Sequence, residues 1–150
     1  MRVSVIGGSS IDERDEATAE AVGRELADRG HVVVCGGLGG TMEAVCRGAR
    51  TASDPVETIG ILPGDRRRAA NPFVTIPIAT GLGHARNALV AMNGDAVVAL
   101  AGGAGTLSEI GMAAIYERPI AGIGTHDVGW IEETATPTAA IDHLERAVET

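Results

Sequence analysis

The chain contains no lysine: all twelve of its basic residues are arginines. That absence removes Walker A phosphate binding, and it removes any Schiff base, pyridoxal phosphate included, from the available chemistry. Aromatic residues are almost absent too, with one Trp, one Tyr and one Phe. The core must therefore be built of Ala, Val, Ile and Leu in closely packed layers. Only two cysteines occur, Cys35 and Cys46. They have neither CxxC spacing nor a matching His cluster, so neither zinc nor a disulfide framework is supported, and buried free thiols are the default. His84 and His126 have no partners at metal spacing, and no metal is assigned. No apolar run approaches the roughly 18 residues of a membrane span, and the opening MRVSVIGGSS is too short in its apolar part for a signal peptide. A soluble cytoplasmic protein without membrane contact is expected. Basic charge is scarce overall, with a net charge of −8. A general nucleic-acid surface needs clustered cations to displace counterions, so no nucleic-acid partner is expected. An acidic, lysine-free composition fits either a salt-adapted cytosol or a GC-rich genome.

Glycine, by contrast, is abundant at 21 of 150 residues, and it gathers after apolar runs. The length fits one domain, residues 1–150, able to bury a sizeable core. Arg2 to Ile6 reads as a strand ending in Gly7-Gly8-Ser9-Ser10. From about Asp15 to Arg29, Ala19, Val22 and Leu26 fall on one helical face and Gly30 supplies a stop. His31 to Cys35 is a second strand. Gly36-Gly37-Leu38-Gly39-Gly40 follows it and opens a helix carrying Met42, Val45, Cys46 and Ala49. Thr58 to Leu62 is a third strand, ended by Pro63-Gly64. A loop from Asp65 to Pro72 holds three successive arginines. Phe73 to Pro77 reads as a short edge strand. Gly81 to Asn87 leads into a helix reaching about Asn93.

The stretch Asp95 to Gly111, DAVVALAGGAGTLSEIG, then reads as strand, glycine turn and a helix beginning at Thr106. A strand over Pro119 to Ile123 and an irregular segment through Trp130 follow. Thr136-Pro137 is an N-cap and N1 pair for a last helix striped by Ile141, Leu144 and Val148. Short apolar strands alternating with helices indicate an α/β fold: a doubly wound, Rossmann-like parallel sheet in three α/β/α layers. Ligands bind such sheets at the carboxyl ends of the strands.

Three glycine turns reach that end, and each can approach an anion without a Cβ in the way. The candidate binding residues are Gly7, Gly8 and Ser9; Gly36, Gly37, Gly40 and Thr41; and Gly102, Gly103, Gly105 and Thr106. Arg86, Asn87 and Glu109 flank the third turn. None of the turns matches G-x-G-x-x-G with an acidic residue closing the second strand, which disfavours ordinary NAD binding. Each turn alone is also explained by tight packing. Thr106-x-x-Glu109 taken alone reads first as a capping box, Ser9 and Ser10 equally cap the first helix, an isolated Arg86 is usually a surface residue, and Arg66, Arg67 and Arg68 are most simply a solvated loop, with a mobile phosphate clamp as the lesser alternative. Cys35 adjoins the second glycine turn and is read as a core thiol, with a place near the ligand as the lesser alternative. What favours function is that an anion and a cation, Glu109 and Arg86, face one ligand position.

Gly102-Gly103-x-Gly105-Thr106-x-x-Glu109 preceded by Arg86 resembles the family containing the LONELY GUY phosphoribohydrolases and the molybdenum cofactor carrier proteins. Gly60-Ile-Leu-Pro-Gly64, Ala70-Asn71-Pro72, Gly81-x-Gly83-x-x-Arg86-Asn87 and Thr106-Leu-Ser-Glu-Ile110 are most similar to its carrier branch. The likeness runs from about Val5 to Ile123. It implies a homo-dimer or tetramer and a phosphorylated small-molecule ligand at the glycine turns, either the molybdenum cofactor or a nucleoside monophosphate, with no cofactor needed for catalysis. The family was long labelled lysine decarboxylase, an activity untenable in a chain without lysine. Two functions follow from the resemblance. One is a binding protein for a pterin-like or nucleotide-like molecule. The other is hydrolysis of a nucleoside 5′-monophosphate, with Arg86 and Glu109 as catalytic residues. The hydrolases carry Pro-Gly-Gly and His-Glu-Arg-Lys where this chain has Ala101-Gly102-Gly103 and His84-Ala85-Arg86-Asn87. These departures favour binding.

Overall fold

The computed structural model describes residues 1–150. Seven strands, β1 (Arg2–Ile6), β2 (Val32–Cys35), β3 (Thr58–Leu62), β4 (Ile76–Ala79), β5 (Ala96–Ala99), β6 (Ile120–Gly122) and β7 (Glu132–Glu133), form one sheet ordered β4-β3-β2-β1-β5-β6-β7. Every pairing is parallel. Apart from the first residues of β1 and β2, the inner strands are buried along their length, as a sheet covered on both faces requires. Helices α1 (Glu13–Asp28), α2 (Thr41–Thr51) and α5 (Pro137–Glu149) pack on one face with Val3, Val5, Val33, Ala96 and Val98. Helices α3 (Asn87–Asn93) and α4 (Ala104–Ile115) cover the other with Ile6, Val34, Val97 and Ala99. The chain reverses direction across the sheet at the β1/β5 junction, the switch point at which such folds open a crevice.

Local chemistry sets the element ends. Asp12 caps α1, its carboxylate accepting the Asp15 N–H at 2.8 Å, and Glu13, Asp15 and Glu16 fill the first turn where the helix dipole favours them. Ser9 and Ser10 therefore do not cap this helix, because Asp12 lies nearer its start. Thr136 accepts the Ala139 N–H at 3.1 Å, with Pro137 at N1. Gly23 and Gly48 let α1 and α2 cross in close contact; a Cβ at Gly48 would lie 2.0 Å from the Glu20 carbonyl oxygen.

Two strands differ from the sequence expectation. The edge strand β4 occupies Ile76–Ala79 rather than Phe73 to Pro77. Asn71 Oδ1 accepts the Phe73 N–H and the Asn71 carbonyl accepts that of Val74, so the chain is still turning there. Strand β7 lies just beyond the irregular segment through Trp130, where no strand is expected, because two consecutive glutamates carry no strand pattern. Their charge blunts that edge of the sheet.

Candidate functional site

Gly8 ties the three glycine turns together. Its N–H donates to the Ala101 carbonyl at 2.8 Å, and its own carbonyl accepts the Thr41 N–H at 3.0 Å. The β1 turn is thus bonded to the β5 turn on one side and to the start of α2 on the other. Side chains are excluded from the junction: a Cβ on Gly7 would fall 2.6 Å from Thr41 Oγ1, and one on Gly102 would fall 2.1 Å from Thr106 Oγ1.

A cavity of about 480 Å³ opens over this junction. Of the residues singled out from the sequence, Gly7, Gly8, Ser9, Gly36, Arg86, Asn87, Gly103, Gly105, Thr106 and Glu109 line it. The helical bonding of α4 begins with the Leu107 N–H donating to the Gly103 carbonyl at 3.0 Å. The N–H groups of Ala104, Gly105 and Thr106 are accordingly left without helical acceptors, at the positive end of the helix dipole. They belong to residues that line the cavity. Such an arrangement suits an anion.

Gly37, Gly40, Thr41 and Gly102 do not line the cavity. They shape it from behind. Gly102 and Thr41 make the close contacts described above. Gly40, at φ +61°, backs onto the Gly8 carbonyl, and Gly37, at φ +79°, packs against Gly60 of β3. Cys35 is fully buried below the cavity, its sulfur 3.6 Å from that of Cys46 and accepting the Gly37 N–H. It is a core thiol.

Arg86 is buried, and the chain holds its guanidinium in place. Nε donates to the Ile61 carbonyl at 2.9 Å, one terminal nitrogen donates to Asn87 Oδ1, and the other donates to the Gly36 carbonyl at 3.5 Å. Asn87 is fixed in turn by donating to Ser108 Oγ at 3.2 Å. Three of the five guanidinium N–H groups are used, which leaves two for a ligand. Burial lowers the Arg86 pKa, while Glu109 opposes that change.

Glu109 is only 8% exposed and forms no salt bridge. Burial pushes its carboxyl up to about 8, with the Arg86 charge acting weakly the other way. The capping box does not form: α4 starts at Ala104 rather than Thr106, Gly103 takes the N-cap position, and no side chain caps the helix. Thr106 is drawn under Gly102, and Glu109 moves to the second turn, where it turns into the cavity. A buried carboxyl with no partner from its own chain presents hydrogen-bonding capacity to whatever enters.

Several lining residues carried no functional signal in the sequence. Val5, Ile6, Leu38 and Met42 supply an apolar floor, while Pro63, Gly83 and His84 extend the cavity past the ends of β3 and β4. Pro63-Gly64 and Gly81-x-Gly83 were the available clue, since the Gly83 N–H donates to the Pro63 carbonyl at 2.9 Å and joins the two turns. His126 reaches the rim, its Nε2 donating to the Gly103 carbonyl at 3.2 Å. Glu109 is the only carboxylate lining the cavity. No group of three or more His, Cys, Asp and Glu is placed to hold a metal, and no helix is long and apolar enough to cross a membrane.

The chain belongs to the SLOG cluster4 family, whose model matches residues 1–149. An uncharacterized protein of Archaeoglobus fulgidus is 42% identical over 113 residues, covering 75% of this chain and 73% of its own. Among solved structures, the molybdenum cofactor binding protein of the phototrophic bacterium Rippkaea orientalis superposes with a TM-score of 0.90 at 29% identity, over 98% of this chain and 96% of that one. The molybdenum cofactor carrier protein of Chlamydomonas reinhardtii gives 0.88 at 28% identity over 99% of both chains.

Proposed function

We propose that this member of the SLOG cluster4 family is a binding protein for a phosphorylated pterin-like or nucleotide-like molecule. The observation that carries the reading is the pairing of a backbone anion site, at Gly8, Ser9, Gly103 and Gly105, with one buried and unpartnered carboxyl, Glu109, across from a fixed Arg86. The phosphate sits at the start of α4, where the free N–H groups and two Arg86 donors serve it. Glu109 then takes a hydrogen bond from the ring or hydroxyl portion. Likeness to proteins described as binding or carrying the molybdenum cofactor supports a ligand of that type. The cavity suits it in size and in having both an anion cradle and a polar group for a heterocycle.

A second reading, cleavage of the N-glycosidic bond of a nucleoside monophosphate, draws on Glu109 alone. A carboxyl pushed up to about 8 keeps its proton at neutral pH and can give it to a departing base. Glycoside hydrolysis generally pairs such an acid with a second carboxylate that activates water or attacks the sugar. No second carboxylate lines this cavity, which favours holding over cleaving. Incubation with AMP, with N6-substituted AMP and with molybdenum cofactor released from a denatured molybdoenzyme tests both readings. Binding predicts a thermal shift with ligand recovered intact. Free base and ribose 5-phosphate, lost in Glu109→Gln, would establish the hydrolase instead.

The partner of the α3–α4 surface, in this reading, is a second copy of the chain. Ile76, Ile78, Met92, Leu107 and Ile115 are exposed on that side of the sheet. The two helices carry a single charged residue, the buried Glu109. In a chain of net charge −8, a two-fold contact through this uncharged face brings copies together with the least repulsion.

A further inference from the structure

Arg66, Arg67 and Arg68 have no structural task. All three are exposed, Arg67 and Arg68 in a single 3-10 turn (Arg67–Ala69) and Arg66 in extended backbone just before it, and no side chain caps that turn. Arg24, Arg29 and Arg47 are paired with carboxylates at 2.7 to 3.2 Å, whereas the other unpaired arginines, Arg14, Arg50 and Arg146 among them, stand singly along the chain. Here the nearest carboxylate is Asp65, 3.8 Å from Arg66, while Arg67 and Arg68 pair with none. In a chain this acidic, three adjacent exposed cations with one loose carboxylate contact among them require a reason.

Their position supplies one. The segment that carries them begins at Pro63, which lines the cavity and whose carbonyl accepts the Gly83 N–H. It ends at Asn71, which donates from its backbone to the Gly37 carbonyl at 2.9 Å and from Nδ2 to the carbonyl of the lining residue Leu38, also at 2.9 Å. Both ends of the arginine loop are therefore bonded to the cavity rim. The cavity runs from the β5 turn, across β1 and β2, to the end of β3. Three strand spacings make that about 14 Å. A phosphate at the start of α4 occupies one extremity, and the arginine loop flanks the other. Within the cavity, Arg86 and Glu109 are the only Arg, Asp or Glu, so the interior offers no surplus cation for a second anionic group.

We propose that Arg66, Arg67 and Arg68 form a distal anion subsite that reads the far end of an elongated ligand. The ligand class is a molecule with anionic groups beyond a single monophosphate, of the nucleoside diphosphate or dinucleotide diphosphate kind. This rests on the anion site at the α4 terminus and adds a selectivity that a simple monophosphate site lacks. Arginines on an exposed loop suit the task, since their planar forks bind phosphate oxygens in pairs and the loop can close over the ligand.

The test is calorimetric titration of AMP, ADP and diadenosine diphosphate at low salt into three proteins: wild type, Arg66→Ser/Arg67→Ser/Arg68→Ser, and Arg2→Ser/Arg24→Ser/Arg146→Ser. The last removes the same charge from exposed positions elsewhere. Wild type and the control should bind the diphosphates about tenfold more tightly than AMP. The loop variant should lose that preference with its AMP affinity within about twofold of wild type, and the salt dependence of its diphosphate affinity should flatten. An unchanged preference in the loop variant overturns the subsite, as does an equal loss in the control, which would make the effect one of net charge. Failure of the wild type to bind any of the three compounds overturns the anion site itself, a result distinguishable from loss of the preference alone.

Discussion

The two faces of the sheet are finished in opposite ways. Charged residues number eight in α1, three in α2 and four in α5. Across those helices Arg29 bridges Glu25, Asp142 and Glu145, and Arg47 bridges Glu16 and Glu20. The opposite face, α3 and α4, carries one charge, and that one is buried at the site. Six of the eight exposed large hydrophobic residues, Ile76, Ile78, Leu82, Met92, Leu107 and Ile115, lie on β4, on these helices or in the turn that leads to them. The charged face is complete as a surface in water. The uncharged face leaves apolar side chains in water, and its single charged residue is buried at the cavity.

The largest effect should come from that group. Glu109→Gln removes a carboxyl whose folded pKa is raised from 4.5 to about 8. With a raised folded pKa, the wild type has its full stability below about pH 4.5 and loses it as pH rises towards 8, because the unfolded chain releases the proton first. Relative to wild type, Glu109→Gln should therefore be neutral at pH 4 and more stable by several kcal/mol at pH 9. Chemical denaturation at both pH values checks this; equal gains at the two would remove ionisation as the cause. The same titration acts on ligand. Affinity for a phosphorylated ligand should fall between pH 7 and pH 9 as Glu109 becomes an anion near the phosphate site, and Glu109→Gln should flatten that profile in a titration series.

On the charged face, Gly48→Ala places a Cβ 2.0 Å from the Glu20 carbonyl oxygen and forces α1 and α2 apart. About 1–3 kcal/mol of stability should be lost, measured by urea denaturation. Leu107→Arg with Ile115→Arg should leave the isolated fold intact and convert a two-fold assembly to monomer, read by sedimentation velocity; an unchanged sedimentation coefficient would remove this surface from the interface. The smallest effect belongs to Arg29→Ala. Its partly exposed pairs should contribute about 1 kcal/mol, less in high salt.

The contrast also explains what was legible in the sequence. Strand and helix signals on the charged face were strong, because Ala19, Val22 and Leu26, or Met42, Val45, Cys46 and Ala49, alternate with polar residues at helical spacing. Helix α4 is apolar on almost every side, so its periodicity is weak, and the sequence pattern places its start at Thr106, two residues after the Ala104 where it begins. That shift made Thr106 an N-cap and Glu109 its capping partner. The three glycine turns and Arg86 are legible through their convergence: each alone has a packing or surface explanation, but all of them fall at the carboxyl ends of the strands of one parallel sheet. The backing role of Gly37, Gly40, Thr41 and Gly102 was not legible, since close backbone approach and ligand contact demand the same residue. Nor was the extension past Pro63 and Gly83, which depends on β4 and β3 being neighbours.

Whether the protein holds its ligand or cleaves it is decided by a single divided incubation. Purified protein is incubated with AMP, N6-substituted AMP and released molybdenum cofactor; each mixture is split between a melting scan and chromatography of the ligand. Ligand at about 100 times its dissociation constant should stabilise the fold by about 2.7 kcal/mol. A binding protein gives that shift with the ligand recovered whole, and loses it in Arg86→Ala. Steady release of base and ribose 5-phosphate, abolished by Glu109→Gln, would contradict the binding role.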